Sequence, residues 1–243
     1  MCNQLLKDII RNNKSIVFFG GAGVSTESCI PDFRSQNGLY NIKNNLNYPP
    51  EVILSNSFFM NHTEDFFKFY KPNMIFENAI PNNAHITLAK LEKEKRLTAI
   101  ITQNIDSLHQ IAGSKTVYEL HGSVHRNYCM ACNKFFSSSY ILNSKPIIPR
   151  CDSCGGIIKP DVVLYEENLD MDILDRSIKA ISIADTLIVG GTSLVVYPAA
   201  NLIKFFRGNN LVLINKSSTS YDKKATLVIH DSIGKVLSTA YGV

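Results

Sequence analysis

Short apolar runs recur at wide intervals along the chain and predict its strands. Each run holds four or five consecutive residues that are mostly β-branched, aliphatic or aromatic. Continuous runs of this length favour strands buried on both faces of a parallel sheet over half-exposed hairpin strands. The predicted strands cover residues 15–19, 98–102, 186–189, 211–214 and 226–229, and a further strand is expected to end at 120–122.

Segments with the pattern of helices separate these runs, at residues 83–95, 106–112, 170–184 and 198–207. In the last segment, Pro198 suits a first helical position and Gly208 suits a C-terminal cap. The alternation of strand and helix predicts an α/β fold built on a doubly wound parallel sheet.

Two stretches break this alternation and predict a second, smaller domain. Residues 35–82 look helical and rich in loops, and residues 122–160 contain two pairs of cysteines. We expect both stretches to be insertions that form a small lobe over the sheet. The large domain is then expected to consist of residues 1–34, 83–121 and 161–243.

Composition limits the function classes without changing this picture. The chain has 243 residues, 45% hydrophobic and 19% charged, which suits a globular protein with a sizeable core and excludes a disordered or disulfide-scaffold chain. A net charge of +4 is too mild to indicate a nucleic-acid or membrane surface. The start lacks a signal-peptide pattern and no uncharged apolar stretch reaches roughly 18 residues, so we expect a cytoplasmic protein.

Four cysteines form the most specific motif. They occur as two Cys-x-x-Cys pairs separated by 18 residues, a spacing typical of tetrahedral zinc, and a reducing compartment favours metal over disulfide. Because four thiolates close the coordination shell, the predicted zinc is structural. The expected ligands are Cys129, Cys132, Cys151 and Cys154. Cys2 and Cys29 are expected to be ordinary thiols.

Basic and aromatic residues near the cysteines leave a second interpretation open, in which the zinc lobe binds nucleic acid. The cations are sparse, however, and a zinc-stabilised lobe that supports a cleft is the favoured interpretation. The cations in question are Arg126, Lys134, Lys145, Arg150 and Lys159.

A glycine-rich turn follows the first predicted strand directly. Gly20, Gly21 and Gly23 stand where backbone N–H groups approach a pyrophosphate in dinucleotide-binding folds. The dehydrogenase fingerprint is incomplete, because Thr26 replaces a small residue and no acidic residue ends a second strand about 20 residues later. The turn alone fits a structural role equally well.

Polar residues after other predicted strands point to the same crevice. Residues 30–34 hold a carboxylate, an aromatic ring and a guanidinium, which would either cover a nicotinamide ring or form a loop salt bridge. Residues 102–106 end one strand and His121 ends another, so we expect them to converge at the carboxyl edge of the sheet. The other histidines are expected to be packed or surface residues; they are His62, His85, His109, His125 and His230.

In this order, the motifs resemble the signature motifs of the sirtuins, NAD-dependent protein deacylases, and in detail those of small bacterial members. The similarity runs from about residue 5 to the end of the chain. Cys29 stands where many sirtuins have glycine. The motifs are residues 20–25, 30–34, 102–106, 121–122, 159–163, 191–193 and 214–216, together with the four cysteines.

The resemblance implies a Rossmann-like NAD-binding domain with a smaller zinc-ribbon and helical domain inserted into it. It implies a protein-lysine deacetylase that transfers the acetyl group of an acetylated lysine to ADP-ribose and releases nicotinamide and O-acetyl-ADP-ribose. His121 would act as general base toward the ribose hydroxyls, and Asn104 would order the ribose. An acetylated peptide would pair as an added strand with the backbone of Val162, Val163, Leu164 and Tyr165.

The resemblance also implies which residues contact NAD. Phe33, Ile105 and Asp106 would form the nicotinamide pocket, and Ile233 would lie near the adenine end. The implied cofactor-binding residues are Gly20, Ala22, Thr26, Asp32, Phe33, Arg34, Gln103, Asn104, Ile105, Asp106, His121, Gly191, Thr192, Ser193, Asn215 and Ile233.

Other NAD-dependent activities stay open at this point. The missing acidic residue, and the lack of a Lys or Tyr motif beside the glycine turn, argue against an NAD(P) oxidoreductase. An ADP-ribosyltransferase or an NAD hydrolase would use the same pocket, and the sequence separates these poorly from a deacetylase.

The acyl preference depends on a helical stretch in the first insertion. Sirtuins that remove succinyl or malonyl groups carry a Tyr-x-x-Arg pair, whereas this chain has Tyr70 followed by Asn73. A buried carboxylate without a cationic partner costs several kcal/mol, so we expect acetyl or another uncharged acyl group to be preferred. Lys71 is the residue that would spoil this by replacing the arginine.

Overall fold

The computed structural model describes residues 2–36, 38–41 and 46–242. The α-helices of this part are α1 Cys2–Asn12, α2 Pro50–Ile53, α3 Asn56–Asn61, α4 Thr63–Met74, α5 Asn83–Lys93, α6 Leu108–Ile111, α7 Ser138–Asn143, α8 Met171–Ser182 and α9 Ile233–Tyr241. The strands are β1 Ile16–Gly20, β2 Leu97–Thr102, β3 Val117–Glu119, β4 Gly122–Cys129, β5 Phe135–Phe136, β6 Ile158–Val162, β7 Thr186–Gly190, β8 Asn210–Ile214 and β9 Leu227–Ile229. Short 3-10 helices cover Ala22–Val24, Thr26–Ser28, Leu39–Asn41, Ala199–Phe205 and Asp222–Lys224.

The large sheet has six parallel strands in the order β3-β2-β1-β7-β8-β9. This is the strand order of dinucleotide-binding folds, in which the chain winds outward in both directions from a central pair. The pair here is β1 and β7, with Ile16 opposite Thr186 and Gly20 opposite Gly190. The predicted doubly wound α/β fold is confirmed, and a ligand crevice is expected where these two strands end.

Apolar layers cover both faces of this sheet. On one face Phe18 packs with Leu88 of α5 and Leu237 of α9, and helix α1 joins the same cluster. On the other face Phe19 packs with Ile181 of α8 and with the 3-10 helix Ala199–Phe205. Strands β1 and β7 are buried along their whole length, which explains their unbroken apolar sequences.

A second sheet and a group of short helices form a small lobe. Strand β4 lies between β5 and β6 and pairs with both in an antiparallel manner. The core of this lobe is aromatic: the rings of Phe66 and Tyr70 stack with their centroids 5.2 Å apart, and Phe67 packs against both. The second predicted insertion ends at residue 160, which lies inside strand β6. The division of the chain into two domains stays a prediction.

Two predicted helices differ from the structure. The helix expected at 198–207 is wrong, because residues Ala199–Phe205 form a 3-10 helix that ends at Phe206 in extended conformation. Gly208 does not cap it; a Cβ there would overlap the carbonyl oxygen of Ala184, so the glycine is needed for this close approach. The helix expected at 106–112 is shorter, since a carboxylate oxygen of Asp106 accepts the N–H of Leu108 and α6 begins there.

Candidate functional site

A cavity of about 880 Å³ opens at the carboxyl edge of the large sheet, between this edge and the small lobe. Of the predicted NAD and peptide residues, all but one line it. The exception is Gly20, the last residue of β1, whose carbonyl oxygen accepts the N–H of Gln103 behind the cavity wall. The lining residues from the prediction are Ala22, Thr26, Asp32, Phe33, Arg34, Gln103, Asn104, Ile105, Asp106, His121, Val162, Val163, Leu164, Tyr165, Gly191, Thr192, Ser193, Asn215 and Ile233.

Two glycines let the loops after β1 and β7 meet at this edge. The N–H of Gly23 donates to the carbonyl of Gly191 over 2.8 Å, and a Cβ on Gly23 would lie 2.7 Å from the Cα of Gly191. Gly191 has φ +61, a conformation that side chains disfavour. The glycine-rich turn is therefore required by the close contact of two backbones.

Asn104, Ser25 and Asp106 form a buried hydrogen-bond chain on one side of the cavity. The Asn104 amide donates to the hydroxyl of Ser25 over 3.0 Å, and that hydroxyl donates to Asp106 over 2.6 Å. Burial raises the pKa of Asp106, opposed by its hydrogen bonds to Ser25 and to the N–H of Leu108. The chain fixes the orientation of Asn104, whose N–H also donates to the hydroxyl of Thr102.

A second set of hydrogen-bonded polar residues joins the ends of β2, β7 and β8. The Gln103 amide donates to the hydroxyl of Thr192 over 3.1 Å, and Oδ1 of Asn215 accepts the N–H of Thr192 over 2.9 Å. Nδ2 of Asn215 is buried and has no hydrogen-bond partner in the described part of the chain. Because buried donors are nearly always satisfied, this free donor fits a polar ligand such as a nucleotide.

His121 is oriented by the backbone. Its Nδ1 lies 2.9 Å from the carbonyl oxygen of Gln103, and since a carbonyl oxygen can only accept, Nδ1 carries the proton. The neutral ring therefore presents its Nε2 lone pair as a base. Burial lowers the pKa of His121, opposed by its hydrogen bond to Gln103, so the ring is neutral near pH 7.

Among the described residues, no salt bridge holds the loop of residues 31–35. Oδ1 of Asp32 accepts the N–H groups of Arg34 and Ser35 at 3.1 and 2.8 Å, and the Arg34 guanidinium lies 5.1 Å from the centre of the Tyr40 ring. Phe33 packs edge-on against Tyr40 and lines the cavity. Of the two interpretations of this loop, the structure favours a cavity wall.

The four paired cysteines form one cluster in the small lobe. Their sulfur atoms all lie within 4.8 Å of one another, with Sγ–Sγ distances of 3.4 Å for Cys129 with Cys154 and 3.6 Å for Cys132 with Cys151. A tetrahedral zinc with bonds of about 2.3 Å separates its sulfurs by about 3.8 Å, so the cluster fits this ion. A hydrogen bond from the N–H of Cys132, the largest contribution, lowers the pKa of Cys129 to about 6, which favours the thiolate form of this one ligand.

Comparison with known proteins identifies the family. A profile of the Sir2 family matches residues 21–198. A Clostridium acetobutylicum protein named NAD-dependent protein deacetylase is 69% identical over 234 residues, covering 96% of each chain. The chain belongs to the Sir2 family. A Clostridium perfringens protein of the same name is 65% identical over 233 residues, covering 96% of this chain and 95% of its own. The resemblance to bacterial sirtuins is thereby confirmed.

Solved Sir2 structures share the fold over almost the whole chain. A Sir2 complex with a p53 peptide and NAD+ aligns with a TM-score of 0.86 at 40% identity, covering 98% of this chain and 96% of the other. A structure of Sir2 bound to an acetylated peptide aligns with a TM-score of 0.85 at 37% identity and the same coverage.

The predicted peptide strand of this Sir2 chain is already bonded within the molecule. The N–H of Val163 donates to the carbonyl of His121, and the N–H of Tyr165 donates to that of Leu54, both over 3.0 Å. The N–H of Leu164 donates to the Glu167 carboxylate over 2.9 Å. An added strand would therefore use carbonyl oxygens of this segment or displace one of these contacts.

Two further residues of this Sir2 chain lie where the sequence did not place them. His125 lines the cavity although no local signal predicts this, since its position depends on how β4 packs within the small lobe. Lys71 points away from the cavity: it is 7% exposed, and its Nζ donates to the hydroxyl of Ser144 over 2.7 Å. Asn73 does line the cavity.

Proposed function

We propose that the chain is an NAD-dependent protein-lysine deacetylase that transfers an acetyl group from lysine to ADP-ribose. The observation that carries this is the oriented His121, with its Nε2 lone pair beside a cavity that contains nearly all predicted NAD residues. The names of close relatives, and the Sir2 structures with NAD+ and acetylated peptides, support the same reaction.

The chain's own residues would hold the dinucleotide along the sheet edge. When bound, NAD supplies a nicotinamide–ribose bond whose cleavage makes the ribose carbon an acceptor for the acyl oxygen. Thr192, Ser193 and Asn215, which line the cavity, would contact the dinucleotide, and Ile233 would lie near its adenine end. Phe33, Ile105 and Asp106 would surround the nicotinamide, and Asn104, held by its hydrogen bond to Ser25, would order the ribose.

His121 would remove a proton from a ribose hydroxyl. Its Nε2 is the accepting atom, because Nδ1 is engaged with the carbonyl of Gln103. Because burial lowers the pKa of His121, the ring is neutral near pH 7 and can accept a proton without first losing one.

Zinc would be structural, held by Cys129, Cys132, Cys151 and Cys154. A lobe that binds nucleic acid is disfavoured, because three of its five named cations are already paired: Arg126 contacts Glu119 and Asp161 at 2.7 and 2.6 Å, Lys134 contacts Asp152 at 2.6 Å, and Lys159 contacts Glu167 at 3.1 Å. A cytoplasmic location fits four reduced thiols. None of the helices in the described ranges has the length and apolar character needed to cross a bilayer.

Product analysis by mass spectrometry tests the proposal. The zinc-loaded protein is incubated with NAD, with and without an acetyl-lysine peptide. We expect nicotinamide, deacetylated peptide and O-acetyl-ADP-ribose in equal amounts, and only with peptide present. ADP-ribose at the same rate without peptide would indicate an NAD hydrolase, ADP-ribosylated peptide a transferase, and NADH an oxidoreductase.

A further inference from the structure

Strand β4 holds the segment that follows β2, residues 105–107, which we call the pocket segment. The N–H of Val124 donates to the carbonyl oxygen of Ile105 over 3.0 Å. The hydroxyls of Ser107 and Ser123 lie 2.9 Å apart. Ser107 has φ 56, in the left-handed region that residues other than glycine seldom occupy. The pocket segment therefore needs outside contacts to keep its shape.

The ring of His125 reaches the pocket segment between these two contacts. Its Nε2 lies 3.2 Å from the carbonyl oxygen of Asp106, and because that oxygen only accepts, Nε2 carries the proton. Its Nδ1 lies 3.2 Å from the hydroxyl of Ser138 at the start of α7, and this hydroxyl also lies 3.1 Å from Oε1 of Glu77. Because the Ser138 hydroxyl donates its proton to Glu77, the contact of Nε2 with the Asp106 carbonyl is what orients the ring, and the Ser138 oxygen packs beside Nδ1.

We propose that His125 is a positioning residue, which fixes the carbonyl of Asp106 and thereby the shape of the pocket assigned to nicotinamide. The inference rests on the proposed function, which places nicotinamide against Ile105 and Asp106. His125 has no part in the proton transfer assigned to His121. Its removal should alter the binding of NAD and nicotinamide more than the turnover number.

Two substitutions of His125 separate the effect of its N–H donor from the effect of its side-chain volume. His125→Gln retains an amide N–H that can reach the Asp106 carbonyl, whereas His125→Leu fills similar space without a donor. Ser138→Ala removes the oxygen that packs beside Nδ1 and leaves the ring in place, so it keeps the idea testable if His125→Leu fails to fold. His62→Leu is the matched control, since His62 is exposed and lies outside the cavity lining.

Hydrogen exchange gives a readout that needs no ligand. In His125→Leu the amides of Leu108 and Val124, which donate to Asp106 and Ile105, should exchange about tenfold faster, the scale of one lost hydrogen bond, while those of β1 and β7 are unchanged. Ser138→Ala should accelerate the same amides less. His125→Gln and His62→Leu should resemble wild type. Unchanged exchange in both His125→Leu and Ser138→Ala, or no recovery in His125→Gln, would overturn the proposal.

Inhibition by nicotinamide gives the second readout. In His125→Leu the inhibition constant of nicotinamide and the KM for NAD should both rise about tenfold, with kcat changed less, and His125→Gln should restore them. A fall in kcat alone would contradict a positioning role. If wild type released no nicotinamide, the proposed function would fail, and hydrogen exchange would still decide whether His125 holds the pocket segment.

Discussion

The two lobes of this Sir2 protein are stabilised by different means. The large lobe buries six parallel strands between two apolar layers, so its fold depends on hydrophobic burial. The small lobe has three strands, an aromatic cluster and a four-cysteine site in which Cys132 and Cys154 are exposed. Metal should therefore be essential to the small lobe and dispensable for the large one.

The two lobes also contribute different chemistry to the cavity. The edge of the large sheet supplies the polar groups, including Gln103, Asn104, Thr192 and Asn215. The small lobe contributes Val124 of β4 to the apolar wall, beside the ring of His125. Polar residues at the end of a rigid sheet can be replaced without unfolding the sheet. Loss of a cysteine ligand instead destabilises the small lobe, which forms one side of the cavity.

Loss of zinc should unfold the small lobe. Structural zinc contributes on the order of 10 kcal/mol to the folding of isolated zinc modules, so Cys151→Ala should lower soluble yield and abolish zinc binding. Hydrogen exchange should accelerate across residues 122–162 while β1 and β7 stay protected. Cys29→Ala is the control and should bind one zinc as wild type does. A metal-free protein with its full fold and activity would refute the structural role.

Replacement of His121 should abolish turnover and leave the fold intact. Loss of a general base typically costs 10²–10⁴-fold, about 3–5 kcal/mol, so His121→Ala should lose acetyl-peptide turnover to this extent. NAD binding, measured by calorimetry, should weaken far less than turnover, because His121 is one of many residues that line the NAD site. His62→Ala serves as control. A variant with more than about a tenth of wild-type turnover would remove His121 from this role.

Acid should weaken the large lobe through a buried histidine pair. The rings of His85 and His109 lie 4.7 Å apart and are fully buried. Burial lowers the pKa of His85 to about 4 and holds that of His109 well below its usual range. Below about pH 6.5 the unfolded chain binds protons that the folded chain does not, so stability falls as the pH falls.

The slope is at most about 1.4 kcal/mol per histidine for each pH unit, and it should continue down to the pKa values of the folded state. Thermal unfolding measured between about pH 7 and pH 5 checks this. His109→Phe should flatten the dependence, and His62→Phe should not. An equally steep loss in His109→Phe would assign the acid sensitivity to other groups.

The smallest predicted effect concerns the acyl group. Asn73 lines the cavity without a positive charge, and the ammonium of Lys71 is bound to Ser144 with its pKa lowered by burial. We therefore expect acetyl-lysine to be preferred over succinyl-lysine by at least about tenfold in kcat/KM, or about 1.4 kcal/mol. Equal succinyl turnover in side-by-side kinetics would contradict this. Lys71→Ala should leave the preference unchanged.

The large sheet and its crevice could be predicted from sequence because the signals are local. Strands such as β7 read as unbroken apolar runs, and the residues that follow each strand necessarily meet at one edge. The zinc site could be predicted equally directly, because the spacing of the four cysteines alone indicates one tetrahedral site.

The small sheet and His125 could not be predicted in this way. Strand β4, Gly122–Cys129, is mostly polar, and it is buried because it lies between β5 and β6 and its apolar residues share a core with the aromatic residues of α3 and α4. His125 lies on this strand and lines the cavity. Gly208 was misread for a similar reason, because its role is a contact with Ala184, which is 24 residues away in sequence.

The central claim, acyl transfer to ADP-ribose, is tested most directly by following the acetyl group itself. A peptide whose acetyl-lysine carries a carbon-13 label in the acetyl carbonyl is incubated with NAD and the zinc-loaded protein. We expect the label to appear in O-acetyl-ADP-ribose in equal amount to the nicotinamide released, and His121→Ala to form neither at a comparable rate. Label recovered as free acetate during turnover, with unmodified ADP-ribose beside it from the start, would contradict the account.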